Sequence, residues 1–181
     1  MADNLPSNAL IRIHSDIDAR VQGIRKHHPD WLCGKGCDNC CRRLAEMPQL
    51  TAAEWALLKS GLATLAPEHL VAIRRDLAAL VAQTSRPMVC PLLDQSSGAC
   101  PVYAQRPVAC RTYGFYVQRD KGLYCSDIES RVTDGTLAEV VWGNHDAIDQ
   151  RLSELGESRA LNEWFATWED PGERAVAAAG A

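Results

Sequence analysis

The chain has 181 residues, of which 46% are hydrophobic and 23% are charged. These fractions are ordinary for a globular domain and exclude wholesale disorder, collagen and coiled-coil rods. Because 19 Lys and Arg residues face 23 Asp and Glu residues, the net charge is −4, and we expect no nucleic-acid partner, since such proteins usually carry a basic excess.

The sequence contains no recognisable export or membrane segment. Its uncharged apolar runs fall well short of the roughly 20 residues that a membrane-spanning helix needs. Residues 1–7 offer neither the basic stretch nor the apolar stretch of a secretory signal. We therefore expect a cytoplasmic protein with no membrane partner, in a compartment where disulfides are disfavoured.

The first predicted element is an amphipathic helix over residues 7–26. Aliphatic side chains recur there every three or four positions, as expected for one face of a helix. These are Leu10, Ile13, Ile17, Val21 and Ile24. The helix should end at His27-His28, because the residue before Pro29 is disfavoured in the helical region.

Two further helices are predicted in the first half of the chain. Thr51-Ala-Ala-Glu54 is a capping-box sequence, so a helix should begin there, and Gly61 is its expected C-terminal stop. Pro67 fits the first position of a longer helix that should reach about Gln83.

The chain changes character between Pro87 and Asp127, where it has four prolines and no helical period. Turn-forming residues predict two short antiparallel pairs, 89–93 with 99–103 and 115–119 with 123–125. Helices are predicted again over 137–142, over 145–155 after an Asn144 cap, and over 159–168.

These elements predict a mainly α-helical single domain with an irregular cysteine-rich segment of short strands and loops organised around metal. Its expected parts are an N-terminal helix (1–30), a cysteine-cluster metal-binding region (31–127), C-terminal helices that pack on the core (128–170) and a flexible tail (171–181).

Eight cysteines are the unusual feature of the composition. They fall into two sets separated by residues 42–89, whereas cysteines that merely fill a core would scatter along apolar faces. We expect at least four of them to bind metal, and all eight in the fullest case, as two centres or one polynuclear cluster. The first set is Cys33, Cys37, Cys40 and Cys41, and the second is Cys90, Cys100, Cys110 and Cys125.

The spacing Cys37-x2-Cys40 is typical of a metal knuckle, in which a tight turn directs both sulfurs at one ion. Thioredoxin-type dithiols share this spacing, but they lie in a βαβ unit that is not predicted here. Adjacent side chains on an extended backbone point in opposite directions, so Cys40 and Cys41 are more easily accommodated if each sulfur serves a different metal. The alternative is that Cys41 is a packing residue. A shared centre would hold residues 33–41 against residues 90–125.

Five cations lie within a few residues of a cysteine, namely Lys35, Arg42, Arg43, Arg106 and Arg111. They could lower thiol pKa values and donate N–H groups to sulfur, although each could equally be a solvated surface charge. Arg106 and Arg111 bracket Cys110 and are the better candidates. His27 and His28 are the nearest possible substitutes for sulfur, but a helix C-terminus also favours cations there.

The ordered motifs resemble a known family. The run Cys33…Cys37-x2-Cys40-Cys41 is followed by Cys90-Pro-Leu-Leu, Cys100-Pro-Val-Tyr, Arg106-Pro-x-x-Cys110-Arg-x-Tyr-Gly and Cys125. This order is similar to the bacterial CxxCxxCC cysteine-cluster proteins, described as zinc- or iron-chelating domains. The resemblance covers about residues 31–127 and implies chelation of zinc or iron by all eight cysteines. One departure is that three residues separate Cys33 from Cys37, where the family pattern has two.

The first hypothesis for function is a metal-binding module that chelates zinc or iron through this cluster. The alternative is an iron–sulfur-dependent oxidoreductase or protein-modifying enzyme that uses the same cysteines. The sequence leaves zinc and iron open, because both accept tetrahedral thiolates. In either case residues 87–127 should depend on metal for order, since the free energy of metal binding becomes free energy of folding.

Overall fold

The computed structural model describes residues 8–119 and 121–168, so the predicted tail at 171–181 lies outside the described residues. About half of the described residues lie in helices. The helices are α1 (Asn8–His27), α2 (Ala52–Leu62), α3 (Pro67–Ala82), α4 (Val108–Thr112), α5 (Ser126–Thr133), α6 (His145–Ser153) and α7 (Leu161–Ala166), with one 3-10 turn at Tyr103–Gln105. Among these helices, none is both long and apolar enough to cross a membrane.

Five short strands complete the described structure: β1 (Gln49–Thr51), β2 (Tyr116–Gln118), β3 (Lys121–Gly122), β4 (Gly143–Asn144) and β5 (Ser158–Ala160). β1 and β5 form an antiparallel pair in which Leu50 lies opposite Arg159. In the second sheet, β2 lies between β3, to which it is antiparallel, and β4, to which it is parallel.

The predicted apolar face of α1 is confirmed by burial. The aliphatic residues from Leu10 to Ile24 that predicted the helix are all buried, and the helix ends at His27 as expected. They form the first core with side chains from α4, β2, α5 and α6, among them Val108, Tyr116 and Ile128.

A second core lies among α2, α3 and α7. Its aromatic centre is Trp55, whose ring lies 5.2 Å from that of Phe165 and 5.7 Å from that of Trp168. Two cysteines, Cys33 and Cys125, pack against the first core, and two others, Cys90 and Cys100, pack against the second. The cysteine-rich segments therefore contact both cores.

The predicted caps of α2 and α3 are confirmed, except at Gly61. Thr51 and Glu54 form the capping box, and Pro67 begins α3. Gly61 does not stop α2, which continues to Leu62. A β-carbon on Gly61 would lie 2.8 Å from the Gln105 side chain, so glycine permits the close approach of the 3-10 turn.

The predicted strand pairs are only partly correct. The pairing of 89–93 with 99–103 reduces to an isolated bridge between Asp94 and Ala99, because prolines at 91 and 101 cannot donate to a ladder. The strand at 115–119 is present as β2, but its antiparallel partner is β3 rather than 123–125.

The helix predicted over 137–142 is wrong. Leu137 and Val140 are buried as their apolar character suggests, but the chain runs through turns into β4, where the Gly143 N–H bonds to the Phe115 carbonyl at 3.0 Å. Pairing with β2 therefore prevails over helical propensity. The helices α4 and α5 were not predicted, since five and eight residues are too few to show a full apolar period.

Candidate metal centre

The two cysteine-bearing segments lie against each other, as the sequence predicted. The backbone N–H of Cys90 donates to the Cys41 carbonyl at 2.6 Å. Three residues further along, Leu44 and Met88 exchange two hydrogen bonds of 2.9 Å. These contacts join the chain before α2 to the chain after α3.

Two small cavities adjoin the thiols at this junction. The larger, of about 70 Å³, is lined by Cys37, Cys41, Cys90, Cys100 and Cys110 together with apolar side chains that include Leu58, Leu92 and Leu161. The smaller, of about 50 Å³, is lined by Cys33, Cys37 and Cys110. Because Cys37 and Cys110 line both, the cavities meet at these two residues.

The thiols shift one another's pKa values, and the causes of these shifts fall into two sets. Burial raises the pKa of Cys33 to about 12, and the nearby thiols of Cys37, Cys125 and Cys40 add to this effect. The side chain of Asn39 donates to Asp127 at 2.8 Å, which holds the loop at 37–41 beside the start of α5 and hence beside Cys125.

A second neighbourhood surrounds Cys41. A hydrogen bond with Cys40 lowers the pKa of the Cys41 thiol, but hydrogen bonding to Cys90, burial, and the charges of Cys90 and Cys100 outweigh it and raise the pKa to about 12. Desolvation of the thiol also raises the pKa of Cys110 to about 12, followed by the effects of Cys40, Cys41 and Cys100, although Cys110 as a whole residue is exposed.

The consecutive residues Cys40 and Cys41 join these neighbourhoods, with their sulfurs 4.0 Å apart. All eight cysteines are free thiols. Sulfur is the donor that zinc and iron share in tetrahedral sites, so the donor set fits either ion. Within residues 8–119 and 121–168, however, no three His, Cys, Asp or Glu side chains already stand close enough together to hold an ion.

Gly114 makes room for one of the sulfurs. Its φ is +81°, in the left-handed region that favours glycine, and a β-carbon on it would lie 2.3 Å from Cys33 Sγ. The glycine that closes the Arg-x-Tyr-Gly motif is therefore required both by the backbone and by the position of Cys33.

Comparison with known families identifies the cysteine-bearing span. The family model CxxCxxCC, described as "Putative zinc- or iron-chelating domain", matches residues 32–140. The chain belongs to this family. The matched span holds all eight cysteines of the two neighbourhoods. No curated protein and no solved structure matches the chain.

The two arginines that bracket Cys110 in the CxxCxxCC span have different contacts. The Arg106 guanidinium lies 3.8 Å from the centre of the Tyr103 ring and lines both cavities. Its charge lowers the pKa of the Cys100 and Cys110 thiols against the effect of burial. Arg106 is therefore placed to stabilise thiolates.

Arg111 points elsewhere. Its guanidinium is buried and forms an ion pair with Asp18 of α1 at 3.2 Å, and it also donates to the carbonyls of Arg106 and Ala104. Sequence proximity to Cys110 suggested a role at the sulfur, but these contacts connect α4 to α1.

The position of α4, and hence of Cys110, depends on Glu54. This carboxylate is 3% exposed and accepts from the backbone and hydroxyl of Thr51 at 2.8 and 2.9 Å. Its other oxygen accepts from the backbone N–H of Val108 at 2.9 Å. One side chain therefore caps α2 and fixes the first residue of α4.

One cation near the sulfurs was missed by the sequence analysis. Arg25, in the last turn of α1, donates to the Cys33 carbonyl at 2.5 Å, lies over the Phe115 ring at 5.4 Å, and lowers the pKa of the Cys33 thiol. Its place in the last turn of a helix that leads into the cysteine loop was the available indication.

The remaining candidates do not line the cysteine cavities. Arg42 pairs with Asp38 at 2.6 Å. His27 Nδ1 lies 2.8 Å from the Gly23 carbonyl oxygen, and the His28 ring packs at 5.8 Å from that of Trp31. These contacts account for Arg42, His27 and His28 without a metal.

Proposed function

We propose that the protein chelates two ions of zinc or iron, each through four cysteine thiolates. Group one comprises Cys33, Cys37, Cys40 and Cys125, and group two comprises Cys41, Cys90, Cys100 and Cys110. The metal-binding unit is residues 31–127, with residues 8–30 and 128–168 packing on it, in a reducing compartment such as the cytoplasm.

The observation that carries this proposal is the change of neighbours between Cys40 and Cys41. The thiols of Cys37, Cys125 and Cys40 raise the pKa of Cys33, and Cys41 is not among them. The pKa of Cys41 is shifted by its hydrogen bonds with Cys40 and Cys90 and by the charges of Cys90 and Cys100. Apart from their contact with each other and their common effect on Cys110, Cys40 and Cys41 thus act on different sulfurs, as expected if each serves its own ion.

The packing supports the same division. Cys33 and Cys125 of group one contact the first core, and Cys90 and Cys100 of group two contact the second. Each group also combines cysteines from before α2 with cysteines from after α3. Each ion would therefore cross-link segments that are distant in sequence, and its binding free energy would stabilise the fold.

An iron–sulfur centre in group two, serving an oxidoreductase or a protein-modifying enzyme, is the alternative. The observation that favours it is the cavity of about 70 Å³ beside these sulfurs, whose apolar walls leave more space than one ion needs. Such centres absorb visible light, whereas zinc thiolates are colourless.

The test is anaerobic purification followed by elemental analysis and a visible spectrum. We expect two equivalents of metal per chain. The double variants Cys33→Ser/Cys125→Ser and Cys90→Ser/Cys100→Ser should each retain one equivalent. If either variant loses both ions, the centres are not independent and a single polynuclear cluster replaces the proposal. Absence of bound zinc and iron would contradict it altogether.

A further inference from the structure

Tyr113 lies at the end of α4, immediately before Gly114, and its side chain is half-buried. It lines the smaller cavity together with Cys33, Cys37 and Cys110. The next residue, Gly114, has a left-handed backbone and lies against the Cys33 sulfur.

Tyr113 lacks the ring contacts that nearby aromatic side chains make. Phe115 stacks on Trp31 at 5.6 Å, and Tyr103 carries the Arg106 guanidinium. Within the described parts of the chain, Tyr113 forms no ring pair, and its hydroxyl has no hydrogen-bond partner. Phenylalanine would fill the same space, so packing does not explain the hydroxyl, which is both a donor and an acceptor.

Three thiols line the smaller cavity together with this side chain, and two of them, Cys33 and Cys37, belong to group one. A tyrosine hydroxyl keeps its proton at neutral pH, because its ordinary pKa is about 10. It is therefore a donor in a cavity whose sulfurs become acceptors when an ion binds.

We propose that the Tyr113 hydroxyl donates a hydrogen bond to a metal-bound thiolate of group one, and that Tyr113 is a positioning residue that tunes this ion. The inference rests on the proposed function. A hydrogen bond to a ligating sulfur withdraws electron density from it and orients it, and groups in this role commonly change metal affinity 10- to 100-fold.

The experiment uses the cobalt(II)-loaded protein, because cobalt replaces zinc or iron in thiolate sites and its sulfur-to-metal charge-transfer band reports on the sulfur. In Tyr113→Phe we expect this band to move to lower energy and cobalt affinity to fall about 10-fold. The matched control is Tyr116→Phe. Tyr116 is 4% exposed, and its phenol is near Arg20 and Asp16 rather than near thiols. The control should change neither the band nor the affinity.

Melting of the metal-free proteins separates tuning from packing. We expect metal-free Tyr113→Phe to melt at the wild-type temperature. An unchanged cobalt band and affinity in Tyr113→Phe would overturn the inference, as would a lower metal-free melting temperature with an unchanged band. If the wild-type chain binds no cobalt, the proposed function itself fails and the inference falls with it.

Discussion

The sulfur of Cys33 occupies the space where a side chain of Gly114 would begin, since a β-carbon there would lie 2.3 Å from it. Gly114→Ala should therefore displace Cys33 and reduce the metal content by up to one equivalent. Gly135→Ala is the matched control, because Gly135 has a φ of +80° but no atom within 4 Å of its would-be β-carbon.

Both variants should lose about 1–2 kcal/mol of unfolding free energy from the left-handed backbone, but only Gly114→Ala should lose metal. Elemental analysis beside a urea titration measures the two effects. Equal metal content in both variants would show that the Cys33 sulfur is not needed at the centre.

Arg106→Ala should mainly weaken metal binding, whereas Arg111→Ala should mainly lower the free energy of unfolding. Arg106 lines both cavities, and its charge opposes the burial that raises the pKa of Cys100 and Cys110, so its loss should weaken metal affinity about 10-fold or more. Arg111 pairs with the half-exposed Asp18, so its loss should cost about 2 kcal/mol of unfolding free energy and leave affinity nearly unchanged.

A competition titration with a chromophoric chelator, run beside a thermal melt, measures both quantities. Arg75→Ala is a suitable control, because Arg75 is exposed on α3. If Arg111→Ala weakened metal binding as much as Arg106→Ala, the assignment of Arg106 to the metal centre and of Arg111 to the fold would be wrong.

His14 should make the protein less stable in mild acid. Burial, and then the charge of Arg111, lower the pKa of His14 to about 4, and its Nε2 is buried without a partner among the described residues. Below pH 6.5 His14 becomes protonated in the unfolded chain but stays neutral in the folded chain. The free energy of unfolding is therefore unaffected by His14 above pH 6.5 and decreases as the pH falls towards 4, by about 3 kcal/mol in total.

The measurement is the urea midpoint of wild type and His14→Gln between pH 7 and 4.5. We expect the variant to lose less stability over this range. His69→Gln, at an exposed position on α3, should follow the wild type. Parallel curves for wild type and His14→Gln would contradict the burial of a neutral imidazole.

Metal removal should loosen the chain unevenly. Hydrogen exchange after chelation should increase most over residues 87–127, which carry four of the eight cysteines and whose described residues have little helix: α4, the 3-10 turn and the first two residues of α5. The amides of α1 and α3 should keep more of their protection, because each helix buries an apolar face of its own. Equal protection of residues 87–127 with and without metal would refute the coupling.

The parts of the fold that the sequence predicted are those set by local chemistry. The apolar period of α1, the Thr51–Glu54 capping box and the proline at the start of α3 each act within a few residues of themselves. The failure at 137–142 has the opposite cause, because β4 forms only when β2 is present to pair with it.

The same distinction applies to the candidate site. The vicinal Cys40–Cys41 pair and the two separated sets of cysteines predicted the association of the two segments, which the Cys41–Cys90 backbone contact confirms. It could not predict that Arg111 reaches back to Asp18, or that Arg25 reaches forward to Cys33, because these directions depend on how α1 packs in the folded chain.

The order of the cysteines along the chain has a consequence for biosynthesis. Cys33, Cys37 and Cys40 leave the ribosome before Cys125, which packs with Cys33 against the first core and follows later in the chain, after α2, α3 and α4. A nascent chain therefore carries an incomplete group one while these three helices are made. On the proposed ligand assignment, stable metal loading is a late step that follows the approach of α5 to the cysteine loop.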